Sequence, residues 1–140
     1  MKLDTAQKIV AAALAHGRAQ KFKPLAVAVL DARGAIRALA AEDGTGRGRA
    51  KIAIGKANGA IELGVGSRGL AQLAARLPQF VSAFDSAIGG LIPLPGGVLA
   101  RDGRGEIVGA VGISGDTADN DEACALAGLA AVGLPADSGA

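Results

Sequence analysis

The chain has 140 residues, 50% of them hydrophobic, with 15 Lys and Arg against 13 Asp and Glu for a formal net charge of +2. That length suits one domain around one core, and so small a charge with no Trp or Tyr argues against a nucleic-acid-binding protein, which would need a basic field and stacking platforms. The lone cysteine, Cys124, permits no internal disulfide, and no run approaches the roughly 18 apolar residues that span a membrane, so a cytoplasmic protein is expected.

Residues 4–20 read as a helix. Asp4 is placed to cap it with Gln7 as capping-box partner, and Ala6, Ile9, Val10, Ala13, Leu14 and Gly17 fall on one face. Lys8, His16 and Arg18 interrupt this segment, so it is not a signal peptide. Lys23-Pro24 ends it. LAVAVLD (25–31) is a strand, Arg33-Gly34 a turn and residues 36–40 a second strand, together an antiparallel hairpin. EDGTGRG (42–48) is a loop. Residues 49–63 return to helical spacing, with Ile52, Ala53, Lys56, Ala60 and Leu63 on one face. Gly55 and Gly59 each weaken that helix by about 1 kcal/mol relative to Ala, a cost that makes sense where another backbone packs close.

Residues 70–77 form a short helix that Pro78 stops. The last third is strand-like: 88–94, then 98–101, a turn at Asp102-Gly103-Arg104-Gly105, then 106–114. A final helix follows in GDTADNDEACALAGLAAVGL, with Ala123, Leu126, Ala127 and Ala130 apolar, and residues 135–140 are expected to fray. The order α, ββ, αα, βββ, α predicts an α+β protein: an antiparallel sheet of about five strands with helices packed on it, in one domain over 1–134.

GVGSRG (64–69) has the spacing of a dinucleotide loop, but such a loop lies between a strand and a helix. Here a helix precedes it. The reading is therefore no NAD: a helix end at Gly64 and a turn into the next helix with Ser67 as N-cap. Asp116, Asp119, Asp121 and Glu122 crowd the entrance of the last helix, where they complement its dipole and would repel a phosphate. A contact with a polar ligand or metal stays open for them, although no histidine accompanies them to favour a transition metal. Gly96 and Gly97 mark a tight turn or a backbone that approaches a planar ligand. Lys56 is an anion contact or an ordinary snorkelling lysine. Ser114 lies in GISG, which falls short of a nucleophile-elbow spacing. His16 is the only histidine, so an axial side chain for a haem iron reduces to His16 or Cys124, and Cys124 sits in an apolar helical pattern as core filler.

LAVAVLDARGAIRALAAEDG, IAIGKANGA and GGLIPLPGGVLARDGRGEIVGAVGISGDTADNDEACALAGLAA together resemble the GlcG/HbpS-like family of haem-binding or haem-degrading domains, also found as the C-terminal domain of PduO-type proteins. The resemblance covers nearly the whole chain. It implies a profilin-like sandwich assembled into homo-oligomers and a small binding protein for haem or a similar planar tetrapyrrole, assisting its breakdown. On that resemblance His16 is the iron ligand, Gly96, Gly97, Ser114 and Gly115 line the pocket, and Lys56 or Arg49 pairs with a propionate. RLPQFVSAFDSAIGG departs from the PGGPLYGL stretch common in the family. The alternative is an enzyme or accessory acting on a small organic acid in a glycolate- or diol-type operon, with Lys56 and the carboxylates from Asp116 to Glu122 binding the acid or moving its proton.

Overall fold

A computed structural model describes residues 1–140. The elements run α1 (Leu3–Ala19), β1 (Ala26–Asp31), β2 (Ile36–Ala41), α2 (Arg49–Leu63), α3 (Ser67–Arg76), α4 (Pro78–Ile88), β3 (Gly97–Arg101), β4 (Ile107–Ser114), α5 (Ala118–Ala131) and β5 (Ala136–Asp137). The five strands form one antiparallel sheet in the order β2-β1-β4-β3-β5. This is the expected α+β architecture, consistent with a profilin-like fold.

The central strands read as unbroken apolar runs because both faces of the sheet are covered. Val27 and Val29 of β1 point to one face, where they join Ile9 and Ala13 of α1 and Cys124, Ala125 and Leu129 of α5 in the main core. Ala26, Ala28 and Leu30 point to the other face, against Ala53, Ala57 and Ala60 of α2. Alanine and glycine dominate that second interface, so α2 lies very close to the sheet. A Cβ added at Gly112 of β4 would run into the Ala53 carbonyl. Cys124 is fully buried as expected, and burial pushes its thiol up to about 11.

The hairpins are where they were expected. Asp31 closes the first by accepting from the N–H groups of Arg33 at 2.9 Å and Ala35 at 3.0 Å, the Asx geometry that makes aspartate a turn residue. Gly64 ends α2 in the left-handed conformation, with φ of 71°. Gly55 and Gly59 do face a close neighbour: added Cβ atoms would meet Ile92 Cγ1 at 2.7 Å and Leu91 Cβ at 2.8 Å.

Five expectations are corrected. Asp4 does not cap α1: the cap is Lys2, and Asp4 lies inside the first turn, paired with Lys8 at 3.1 Å. Ser67 does not cap α3 either. Gly66 holds the cap position, and the Ser67 hydroxyl accepts instead from Gly97 N–H at 2.6 Å. Pro78 stops one helix but begins another, because a proline at the first helical position forfeits no intrahelical bond. Residues 88–94 are not a strand; they cross the outside of α2, where Ile92 N–H donates to Gly55 O at 3.1 Å. The fifth strand comes from the tail expected to fray: β5 pairs with β3 through Leu99–Asp137 and Ala100–Ala136. Arg101 fastens it with an ion pair to Asp137 at 2.7 Å.

Candidate functional site

Lys56, Gly96, Gly97 and Ser114 do meet in space, at the end of the sheet where β3 begins and β4 finishes. Lys56 is 2% exposed and Asp121 1%. The Lys56 ammonium donates to Asp121 Oδ2 at 3.0 Å and to Ile113 O at 2.9 Å. Asp121 Oδ1 accepts from Asp116 N–H at 3.0 Å. Burial pushes the Lys56 ammonium down from its ordinary value and the Asp121 carboxyl up, while each charge pulls the other back. The pair thus ties α2 to α5 around the end of the sheet.

In this arrangement the residues expected to bind a ligand are engaged with one another within the chain. The Lys56 ammonium is enclosed and already engaged, so it cannot reach a propionate or a small acid. A Cβ at Gly96 would meet Lys56 Nζ at 2.9 Å, and one at Gly97 would strike the Lys56 carbonyl; the space those glycines leave is filled by α2. Gly115 makes room for the Pro24 carbonyl. Ser114 is fully buried, and its hydroxyl accepts from Arg49 Nη1 at 3.2 Å. No cavity opens onto these residues.

The remaining carboxylates are spoken for as well. Asp116 accepts from Lys23 N–H, Thr117 N–H and the Asn120 amide, at 2.8, 2.8 and 2.7 Å, and these donors hold its carboxyl below the ordinary value. Arg68 takes Asp119 at 2.5 Å and Glu122 at 3.0 Å, joining α3 to α5. The helix is capped by Thr117, whose hydroxyl accepts from Asn120 N–H at 3.2 Å. Asp119 is the most open of the group, its side chain 79% exposed, and no cluster of three metal-ligating side chains exists in the chain.

A concave surface lies elsewhere. A cleft of about 430 Å³ runs between the outer face of α2 and residues 85–92. Lys51, Ile54 and Asn58 line one wall, and Asp85, Gly89 and Ile92 the other. Asn58 fixes the far wall by donating to Gly90 O at 2.8 Å, and Asp85 does so by accepting from Leu91 N–H at 2.7 Å. Its size is within the range of small-ligand sites. Sequence reasoning missed it because its second wall depends on α4 and on the segment 88–94, the two regions read wrongly.

His16 stands on the opposite side of the sheet from this cleft. It is half-buried near the end of α1, its ring edge-on to Phe22 with centroids 6.3 Å apart. The side-chain hydrogen bonds nearby join Arg18 to Glu42 and Thr45 to Glu42 and leave the imidazole out. His16 is therefore apart from every other expected site residue.

The match to a family model described as "Haem degrading protein HbpS-like" spans residues 1–130. The chain belongs to the HbpS-like family. Solved structures agree on the fold. The HbpS crystal structure is 28% identical with a TM-score of 0.83, covering 95% of this chain and 90% of its own. A Streptomyces reticuli HbpS double mutant matches with the same identity and TM-score, over 95% of this chain and 87% of its own. The haem complex of PduOC gives a TM-score of 0.85 at 20% identity over 96% of both chains. No match was found among the curated proteins.

Proposed function

We propose that this protein binds haem or a closely similar planar tetrapyrrole, with His16 as the iron ligand and with walls completed by a second subunit of a homo-oligomer. Membership of the HbpS-like family carries the reading, and the PduOC relative was solved with haem. The chemistry of His16 fits it. The imidazole is half-buried, has an aromatic neighbour in Phe22 and makes no hydrogen bond that would compete with iron. Neutral imidazole nitrogen is the commonest protein ligand for haem iron. The cleft beside α2 holds Lys51 and Asp85 but no His, Cys, Met or Tyr. Within one chain, then, the ligand and the cleft lie on opposite sides of the sheet, which is why the reading needs a second copy.

Bound haem would supply redox and oxygen chemistry of its own. The chain's part is to present the His16 nitrogen, to cover the macrocycle with apolar side chains and to neutralise the propionates. Lys56 is consumed by Asp121, and Arg49 and Lys51, on the first turn of α2, are cations that would take that last role. The test is an absorbance titration of purified protein with haemin. A saturable Soret shift that disappears in His16→Ala is expected. A saturable shift unchanged in that variant rejects His16 as ligand, and the absence of a saturable shift rejects haem binding.

A further inference from the structure

Five of the six residues of β2 (IRALAA) are apolar, yet none is buried. Ile36 is 52% exposed and Leu39 46%. β2 pairs only with β1, so it is the long open edge of the sheet; the opposite edge is the two-residue β5. Folded proteins blunt such an edge with charge, proline or a covering element, because its free N–H and C=O groups would otherwise recruit another strand. Here the only charge in the strand is Arg37, the extra residue of a bulge in the pairing with β1.

The geometry of the edge favours its own copy. Glu42 N–H donates to Leu25 O at 2.9 Å, which makes Leu25–Glu42 a hydrogen-bonded pair. Alternation then makes Val27–Ala40 and Val29–Ala38 hydrogen-bonded pairs as well. The backbone groups of Leu39 and Ala41 therefore point away from β1, to the free edge. A two-fold axis through Ala40 would pair Leu39 with the partner's Ala41, and Ala41 with the partner's Leu39, each in the hydrogen-bonding phase. Counted along the chain from that axis, the bulged Arg37 comes level with the partner's Asp43, which lies in the turn just after β2. Neither Arg37 nor Asp43 makes an ion pair within its own chain. A two-fold interface is self-complementary, so one Arg37–Asp43 contact becomes two.

We infer that two copies of this chain join edge to edge through antiparallel β2 strands, extending the sheet across the dimer and covering Ile36 and Leu39, with Arg37 and Asp43 setting the register. This deepens the homo-oligomer reading above by naming its interface.

Light scattering on Arg37→Asp, on Asp43→Arg, on their equimolar mixture and on the double variant tests it. Both side chains are exposed and unpaired, so the variants keep the fold, checked by circular dichroism. Each single variant faces like charges across the axis and should show half the wild-type mass. The mixture should recover that mass, because the aspartate introduced into one chain then meets the arginine introduced into the other, and the double variant should recover it alone. A wild-type monomer would overturn both this interface and the homo-oligomer reading. Single variants of wild-type mass, or a mixture that stays at half mass, would overturn the interface and leave oligomerisation standing through another surface. Haem binding is read separately from the Soret titration.

Discussion

The Lys56–Asp121 pair is the sharpest energetic feature of the molecule. Their side chains are 3% and 1% exposed, with 3.0 Å between nitrogen and oxygen. Lys56→Met would leave the Asp121 carboxylate buried with Asp116 N–H as its remaining donor, and Asp121→Leu would leave the ammonium with only Ile113 O. Breaking a buried pair from one side costs about 3–5 kcal/mol, because the surviving charge loses its partner without regaining water. At this chain length that is a fall in Tm of roughly 10–15 °C. Replacing both partners removes both charges, so the double variant should lose far less than the sum of the singles, leaving only the unsatisfied Ile113 carbonyl and Asp116 N–H. Urea unfolding followed by circular dichroism measures all four species; the absence of Trp and Tyr rules out the usual fluorescence probe. Single variants that each cost under about 1 kcal/mol, or a double variant equal to their sum, would refute the account of the pair as a mutually dependent tether.

Two further outcomes follow from individual contacts. The donors on Asp116, led by Lys23 N–H, depress its carboxyl below 3.8 in the folded state. The stability it contributes is therefore present above that pH and lost as pH falls through the lower folded value, so Asp116→Asn should flatten the acid limb of a Tm-against-pH profile, and an unchanged limb would refute the assignment. Gly112→Ala would drive a Cβ into the Ala53 carbonyl, a backbone atom that cannot swing aside. A loss of about 3 kcal/mol in urea unfolding is expected, whereas Gly103→Ala, with nothing within 4 Å, should stay within about 0.5 kcal/mol of wild type.

Local periodicity carried most of the fold. The first two helices, the hairpin and the strands β3 and β4 were legible because each alternates or repeats within its own span. α4 was hidden by Pro78, whose two roles, stopping a helix and starting one, look alike in sequence. β5 was hidden because two residues have no period, and only pairing with Leu99 and Ala100 makes them a strand. The site suffered more. Lys56 and Asp121 lie 65 positions apart, and each has a sufficient local explanation, a snorkelling lysine and a helix-dipole carboxylate. Only the sheet between them brings the two together. The chemical types at this place were noticed correctly, but their burial, which turns a binding lysine into a tether, is a property of packing that no single stretch expresses.

GVGSRG makes the same point from the other direction. Its first glycine ends α2, as the sequence suggested, but the remaining glycines serve neither a nucleotide nor a turn alone. A Cβ at Gly66 would collide with the backbone of Ser138, and one at Gly69 would meet Gly139 O at 3.2 Å. Arg68 N–H donates to Ser138 O at 3.2 Å. The small residues and free N–H groups that would cradle a pyrophosphate in a strand–loop–helix setting here receive a segment of the chain's own backbone, the one that continues from β5. The spacing of glycines encodes a surface that another backbone or ligand can approach closely. What approaches is decided by the flanking elements, and in this chain α2 on one side and β5 on the other leave that place to residues 138 and 139.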